Sequence, residues 1–204
     1  MLAGPPALAS LDCSDAAAVG RVSLDPGAEA APPGSRSNPW INRHHVYCGD
    51  INRRGRAVGF HYRADGQDPR TGPGNNNPAA ARITGAVKPQ AGAEGWRVYR
   101  GEGIEIWSEA AERYVRKGGF SSFFPDRCSP AEVLASIRHA VTQANRPIPA
   151  KGGRFQGLSG PADGRRGYCY RRESGGGPGE AFPLSGYLNN LRDRGWTINT
   201  AYPD

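Results

Sequence analysis

Short alternations of apolar and polar positions dominate the chain, and long helical periodicities are rare. Val46 to Ile51 and Ala57 to Tyr62 are two short apolar or mixed runs, and the polar Asn52-Arg53-Arg54-Gly55-Arg56 between them predicts a hairpin. Further strands are expected over Ala81 to Val87, Trp96 to Tyr99 and Gly101 to Trp107. The clearest helix starts at Ser129, where Ser-Pro-Ala-Glu supplies an N-cap, a first-turn proline and a glutamate three residues on. Val133, Leu134, Ile137, Ala140 and Val141 then share one helical face, and the helix is expected to end near Asn145, ahead of Pro147. A shorter helix is expected from Ser108 to Lys117. Residues 1–38 are rich in Ala, Gly, Pro and Ser with almost no large apolar side chains, so they read as a linker or disordered arm before a folded unit over 39–204. Ser174 to Gly179 reads as a flexible loop.

At 204 residues the chain has room for one well-cored domain with a tail, or two small lobes sharing an interface. Its 29 glycines and 18 prolines, against 37% hydrophobic residues, indicate many turns around a modest core. No stretch approaches the roughly 20 apolar residues that span a bilayer. The first twenty residues lack the basic head and apolar run of a signal peptide, so export is expected as part of a larger carrier.

Charge narrows the partner. The first forty residues hold two arginines against four acids, so of the net +7 the remainder carries +9. A folded unit that basic suits an anionic partner, phosphate backbones first, although a coding bias toward arginine supplies part of the charge. Lysines are few: Lys88, Lys117 and Lys151. Cys13, Cys48, Cys128 and Cys169 stand far apart with no C-x-x-C pair, which argues against structural zinc; buried thiols are favoured over a disulfide framework.

Three of the four histidines fall in one short stretch, His44-His45-Val46-Tyr47-Cys48-Gly49-Asp50-Ile51 followed by Gly59-Phe60-His61. A hairpin between His45 and His61 folds them toward one another, and two imidazoles can divide proton uptake and proton delivery at neutral pH. Alone, a strand histidine is more often structural than catalytic. A divalent metal held by the same histidines is an alternative with weak support, since Asp50 is the only acid between them. A non-catalytic RNA-binding module is another.

The wording H-V-Y-x-G-D-I-N-x-x-G-x-x-x-G-F-H around these histidines resembles the signature of bacterial EndoU nucleases, a family that includes toxin domains at the C-termini of contact-dependent inhibition and other polymorphic toxins. The likeness continues in Ser121-Ser122-Phe123-Phe124-Pro125-Asp126 and in Thr197-Ile198-Asn199-Thr200-Ala201-Tyr202-Pro203, and so spans about residues 40–204. The resemblance implies an α+β fold, with antiparallel sheets in two small lobes, a few helices and the site in the groove between them. It implies catalytic His45 and His61, completed by a lysine, a tyrosine and a hydroxyl residue. Lys88 is the first choice for the lysine and Lys117 the second. Tyr202 and Thr200 are the C-terminal pair, with Thr197 competing with Thr200 and Tyr187 an outside candidate. His44 and His139 are expected to stand apart from the chemistry.

The reaction so implied needs no metal or cofactor. A ribose 2'-hydroxyl attacks the adjacent phosphorus and leaves a 2',3'-cyclic phosphate, with family precedent for His61 as base and His45 as acid. Uridine sites are preferred in the family, and some toxin members cut transfer RNA. The partners implied are RNA, a cognate immunity protein and an upstream carrier toxin that delivers the domain into the cytoplasm of a target cell.

Overall fold

A computed structural model describes residues 10–73, 76–88, 95–145, 148–172 and 179–204. The chain opens with α1 (Ala16–Val19), β1 (Val22–Ser23), β2 (Trp40–Ile41), α2 (Arg43–Tyr47), β3 (Asp50–Ile51) and β4 (Ala57–Val58). It continues with β5 (Ala81–Ile83), β6 (Val87–Lys88), β7 (Tyr99–Gly101), β8 (Ile104–Ser108), β9 (Arg113–Arg116) and β10 (Ser121–Phe123). It closes with α3 (Pro130–Thr142), β11 (Gly153–Leu158), β12 (Pro183–Leu191) and β13 (Gly195–Pro203). This is the expected α+β architecture of small, mostly antiparallel sheets with few helices.

Two apolar clusters organise it. The larger gathers Ile41, Val46, Tyr47, Tyr62, Phe124, Val133, Ile137, Phe155, Leu184 and Ile198 between α3 and the five-stranded sheet ordered β1-β2-β13-β12-β11. Only β13 and β2 pair in parallel there, Thr197 opposite Trp40 and Ile198 opposite Ile41. Helix α3 carries the foreseen capping box between Ser129 and Glu132 and ends at Thr142, slightly short of Asn145. It lies so close to β11 that a Cβ on Gly157 would sit 2.3 Å from the Ala140 carbonyl oxygen. The smaller cluster holds Ala57, Phe60, Ala81, Tyr99, Ile104, Ile106 and Phe123, beneath the sheets β5-β8-β9 and β10-β7-β6. Tyr99, from the smaller cluster, donates to Asp126 Oδ1 at 2.6 Å, and burial of that carboxyl pushes its pKa up to about 6.

Several expectations need correction. The hairpin between β3 and β4 is present, with Asp50 opposite Val58, but Val46 and Tyr47 belong to α2 rather than to a strand. Asn42 caps this five-residue helix by accepting from the His45 backbone N–H at 3.3 Å, and so short an element shows no helical period in sequence. Ser108 to Lys117 is no helix: β8 and β9 form a hairpin, with Ile104, Ile106 and Ser108 buried at the period of two that strands require.

Nor are residues 10–38 a linker. Val19 and Leu24 are buried in the larger cluster, β1 extends its sheet, and Arg43 donates to the carbonyls of Gly20 and Ala17 at 2.6 and 2.9 Å. The cysteines are two disulfides, Cys13–Cys48 and Cys128–Cys169, instead of buried thiols. The first ties the N-terminal segment to the C-cap of α2, so a segment with few apolar residues is ordered by a covalent link that spacing did not reveal. Most of the glycine-rich Ser174 to Gly179, residues 174–178, lies outside the described residues. Among the described residues no helix is long and apolar enough to cross a membrane.

Candidate active site

The β3–β4 hairpin returns the chain against α2. Beyond it, the Phe60 N–H donates to the His45 carbonyl at 2.9 Å and the His61 N–H to the Val46 carbonyl at 2.7 Å. This close pairing depends on Gly59, whose φ is +76° and where a Cβ would lie 2.2 Å from the His45 carbonyl oxygen and 3.0 Å from His45 Nε2. The two histidines are thereby brought together, each only 6% exposed.

Their surroundings differ. His45 Nδ1 is 2.9 Å from Asp50 Oδ2, while His44 Nδ1 is 3.1 Å from Asp50 Oδ1. Burial alone raises the Asp50 carboxyl, but its hydrogen bonds to the two imidazoles outweigh this and hold it well below the usual carboxylate range. An ionised carboxylate only accepts, so His45 Nδ1 carries the proton and Nε2 is the nitrogen free to exchange one.

His61 Nδ1 is 2.9 Å from the Ser122 carbonyl oxygen, which again fixes the proton on Nδ1 and leaves Nε2 as the lone-pair nitrogen. Among the described residues no acid stands beside it to favour the charged form. Burial lowers its pKa well below the ordinary value, and the charges of Lys117 and His45 act in the same direction, against the Ser122 hydrogen bond. His61 is therefore neutral at neutral pH.

Lys117, the second-choice lysine, is the one whose charge reaches His61. Its Nζ donates to the Gly59 carbonyl at 2.8 Å and to Ser121 Oγ at 2.6 Å, and burial brings its pKa down to about 8. Lys88 is an exposed residue of β6 whose ammonium lies 3.6 Å from Glu102 Oε1. The sequence pointed to it because it lies past the second histidine in the segment Ile83 to Pro89; Lys117 follows directly on β9, and the β8–β9 hairpin carries it back.

The C-terminal strand completes the cluster. Asn42 ties β13 to the start of α2 through its N–H to the Ile198 carbonyl at 3.0 Å and its Nδ2 to Asn199 Oδ1 at 3.1 Å. Tyr202 stacks on His61, with ring centroids 5.3 Å apart and planes inclined at 29°. Thr200 is two residues earlier, the intervening Ala201 is buried, and Tyr187 stands opposite Thr200 on β12. Thr197 is fully buried with its hydroxyl 3.4 Å from the Gly195 carbonyl, whereas Thr200 is half-buried. His139 lies elsewhere, on α3 against Tyr168 and the Leu158 carbonyl.

Two contributors escaped sequence reasoning: Asp50, considered there only as a metal ligand, and the Ser122 carbonyl, which no side-chain pattern marks. Among the described residues no group of three His, Cys, Asp or Glu side chains converges to hold a metal ion. The arrangement pairs one imidazole poised to accept a proton with another backed by a carboxylate, beside a half-buried ammonium. In comparisons with known proteins, the profile of one family, bacterial EndoU nuclease, matches residues 41–204. No curated protein and no solved structure shows significant similarity to the chain.

Proposed function

The chain belongs to the bacterial EndoU nuclease family, and from that premise we propose that it is a metal-independent endoribonuclease acting by 2'-hydroxyl transesterification. The observation that carries this reading is the unlike support of the two histidines: a backbone carbonyl behind His61 and a carboxylate behind His45. Neutral His61 takes the proton from a ribose 2'-hydroxyl at Nε2. The oxygen attacks the adjacent phosphorus, the bond to the 5'-oxygen breaks, and His45 delivers its Nε2 proton to that leaving oxygen. The products are a 2',3'-cyclic phosphate and a free 5'-hydroxyl, and Asp50 holds the His45 ring through Nδ1. Lys117 supplies fixed positive charge for the pentacoordinate phosphorane, where such charge counts most. Tyr202 holds the His61 ring by stacking, and Thr200 offers a hydroxyl to the sugar or base on the same strand face.

Uridine preference, transfer RNA as target, and a toxin role in a larger delivered protein neutralised by an immunity partner are part of this proposal. Two disulfides suit a domain that meets an oxidising compartment on its way out of a cell.

The test is cleavage of uridine-containing RNA by the purified chain. His45→Ala and His61→Ala should each lower the rate by about a hundredfold to ten-thousandfold, with chelator having no effect. The product should carry a 2',3'-cyclic phosphate, and deoxyuridine at the cut site should block the reaction. Cleavage of that deoxy substrate at the same bond refutes the mechanism; inhibition by chelator, reversed by one divalent metal, recasts the histidines as ligands.

A further inference from the structure

Phe120 stands out among the phenylalanines: the other five are buried, whereas 51% of it is exposed. It follows the Gly118-Gly119 turn and immediately precedes Ser121, the residue that accepts from Lys117. Arg100, on the neighbouring strand β7, holds its guanidinium 4.7 Å from the ring centroid. With one face against Arg100, the exposed half of the side chain offers the rest of the ring to solvent. Phe120 also borders a shallow groove of about 580 Å³ shared with Arg116, Lys117 and Glu102. Among the described residues neither Arg100 nor Arg116 is held in an ion pair, whereas Glu102 is paired with Lys88. The groove is thus cationic, has an aromatic platform, and reaches the site through Lys117, which belongs to both.

The geometry points to a nucleotide subsite in this groove: a base flanking the scissile uridine stacks on Phe120 while Arg100 and Arg116 meet the adjoining phosphates. This rests on the ribonuclease reading and adds to it a reason for the enzyme to prefer single-stranded RNA longer than a dinucleotide. A stacked base needs an accessible ring with no polar competitor, and a cation over the ring both orients it and binds phosphate. An aromatic exposed for packing against protein alone would not need one guanidinium over its ring and a second in the same groove, neither of them in an ion pair among the described residues. The subsite tolerates any base, because every base has a π face.

The test compares kcat/KM on a uridine-containing dinucleotide with that on oligonucleotides extended by two residues, on the 5' side or on the 3' side. In the parent enzyme, extension on one side should raise kcat/KM by about 5- to 150-fold, the range of one base stack. Phe120→Ala should erase most of that gain and Phe120→Trp should keep it, with the loss appearing in KM. A parent that gains nothing from either extension overturns the subsite. So does a Phe120→Ala enzyme that keeps the full gain on both sides. A parent that cleaves neither dinucleotide nor longer RNA overturns the ribonuclease reading itself, a result distinct from a length gain that ignores Phe120.

Discussion

Replacing Cys13 and Cys48 together by serine should destabilise the protein far more than the sparse hydrophobicity of its first forty residues implies. The disulfide closes a loop across a sequence separation of 35, and the loop-entropy relation gives about 3.8 kcal/mol at 25 °C for its removal. For a chain of this size such a loss lowers the melting temperature by about 8–15 °C. Truncation at residue 39 should cost more, because Val19 and Leu24 also leave the larger core at roughly 1.5–3 kcal/mol each. The combined loss, roughly 7–10 kcal/mol, is comparable with the whole stability of an ordinary domain. Activity should fall together with stability, since Cys48 caps α2, which carries His45, and Arg43 of that helix grips the carbonyls of Ala17 and Gly20. The assay is equilibrium denaturation of the parent, the Cys13→Ser/Cys48→Ser variant and the truncated chain, with cleavage measured on the same samples. A double variant with the parent's midpoint and slope would refute the reasoning and return residues 10–38 to the status of a linker.

Lys117→Met should lower the cleavage rate by about a hundredfold or more, and Lys88→Met by at least about tenfold less. Because burial brings Lys117 down to about 8, its charge is present below that pH and lost above it, so the rate should decline as pH rises through about 8, and Lys117→Arg should move the decline upward; an unchanged alkaline limb in Lys117→Arg would refute this. Asp50→Asn removes the carboxylate behind His45 while preserving its shape, and should lower kcat by about a hundredfold with KM nearly unchanged; parental kcat in steady-state kinetics would show that His45 needs no such partner.

Histidines and helix α3 were legible because their signals are local. The capping box at Ser129 lies within four residues, and the apolar face of α3 repeats over three turns. The His45 and His61 pair was legible through the glycine-rich wording between them, and Gly59 has a steric reason to be glycine. What stayed hidden depends on distant chain. Lys117 reaches the site only because Ser108 to Arg116 is a hairpin arm rather than a helix, and the charged residues at the turn obscured its alternation. The disulfides join residues from different elements, so no spacing rule could pair them. The N-terminal segment misled for the same reason: its order comes from Cys13, Asn38 and the carbonyls of α1, not from an apolar period.

The position of the site between two cores follows from a departure from regular strand geometry. In an extended chain, residues 60 and 62 would face the same way and residue 61 the opposite way. Here Phe60 packs into the smaller cluster, 5.1 Å from Phe123, while Tyr62 packs into the larger, 5.2 Å from Tyr47. The left-handed pair Gly59, at φ +76°, and Phe60, at φ +63°, turns the backbone so that these two aromatic rings diverge. A non-glycine residue in that conformation costs on the order of 1 kcal/mol, and burial of the Phe60 ring more than offsets it. Across from this kink no strain is needed: Phe123 and Phe124 are consecutive, so ordinary alternation sends one ring to each cluster. His61 is fastened to that second segment through the Ser122 carbonyl and the Phe124 N–H, and so sits at the seam with apolar rings on both sides. The same two cores that hold the imidazole in place remove water from it, and the depressed pKa that makes it a neutral base is a consequence of how the two clusters meet.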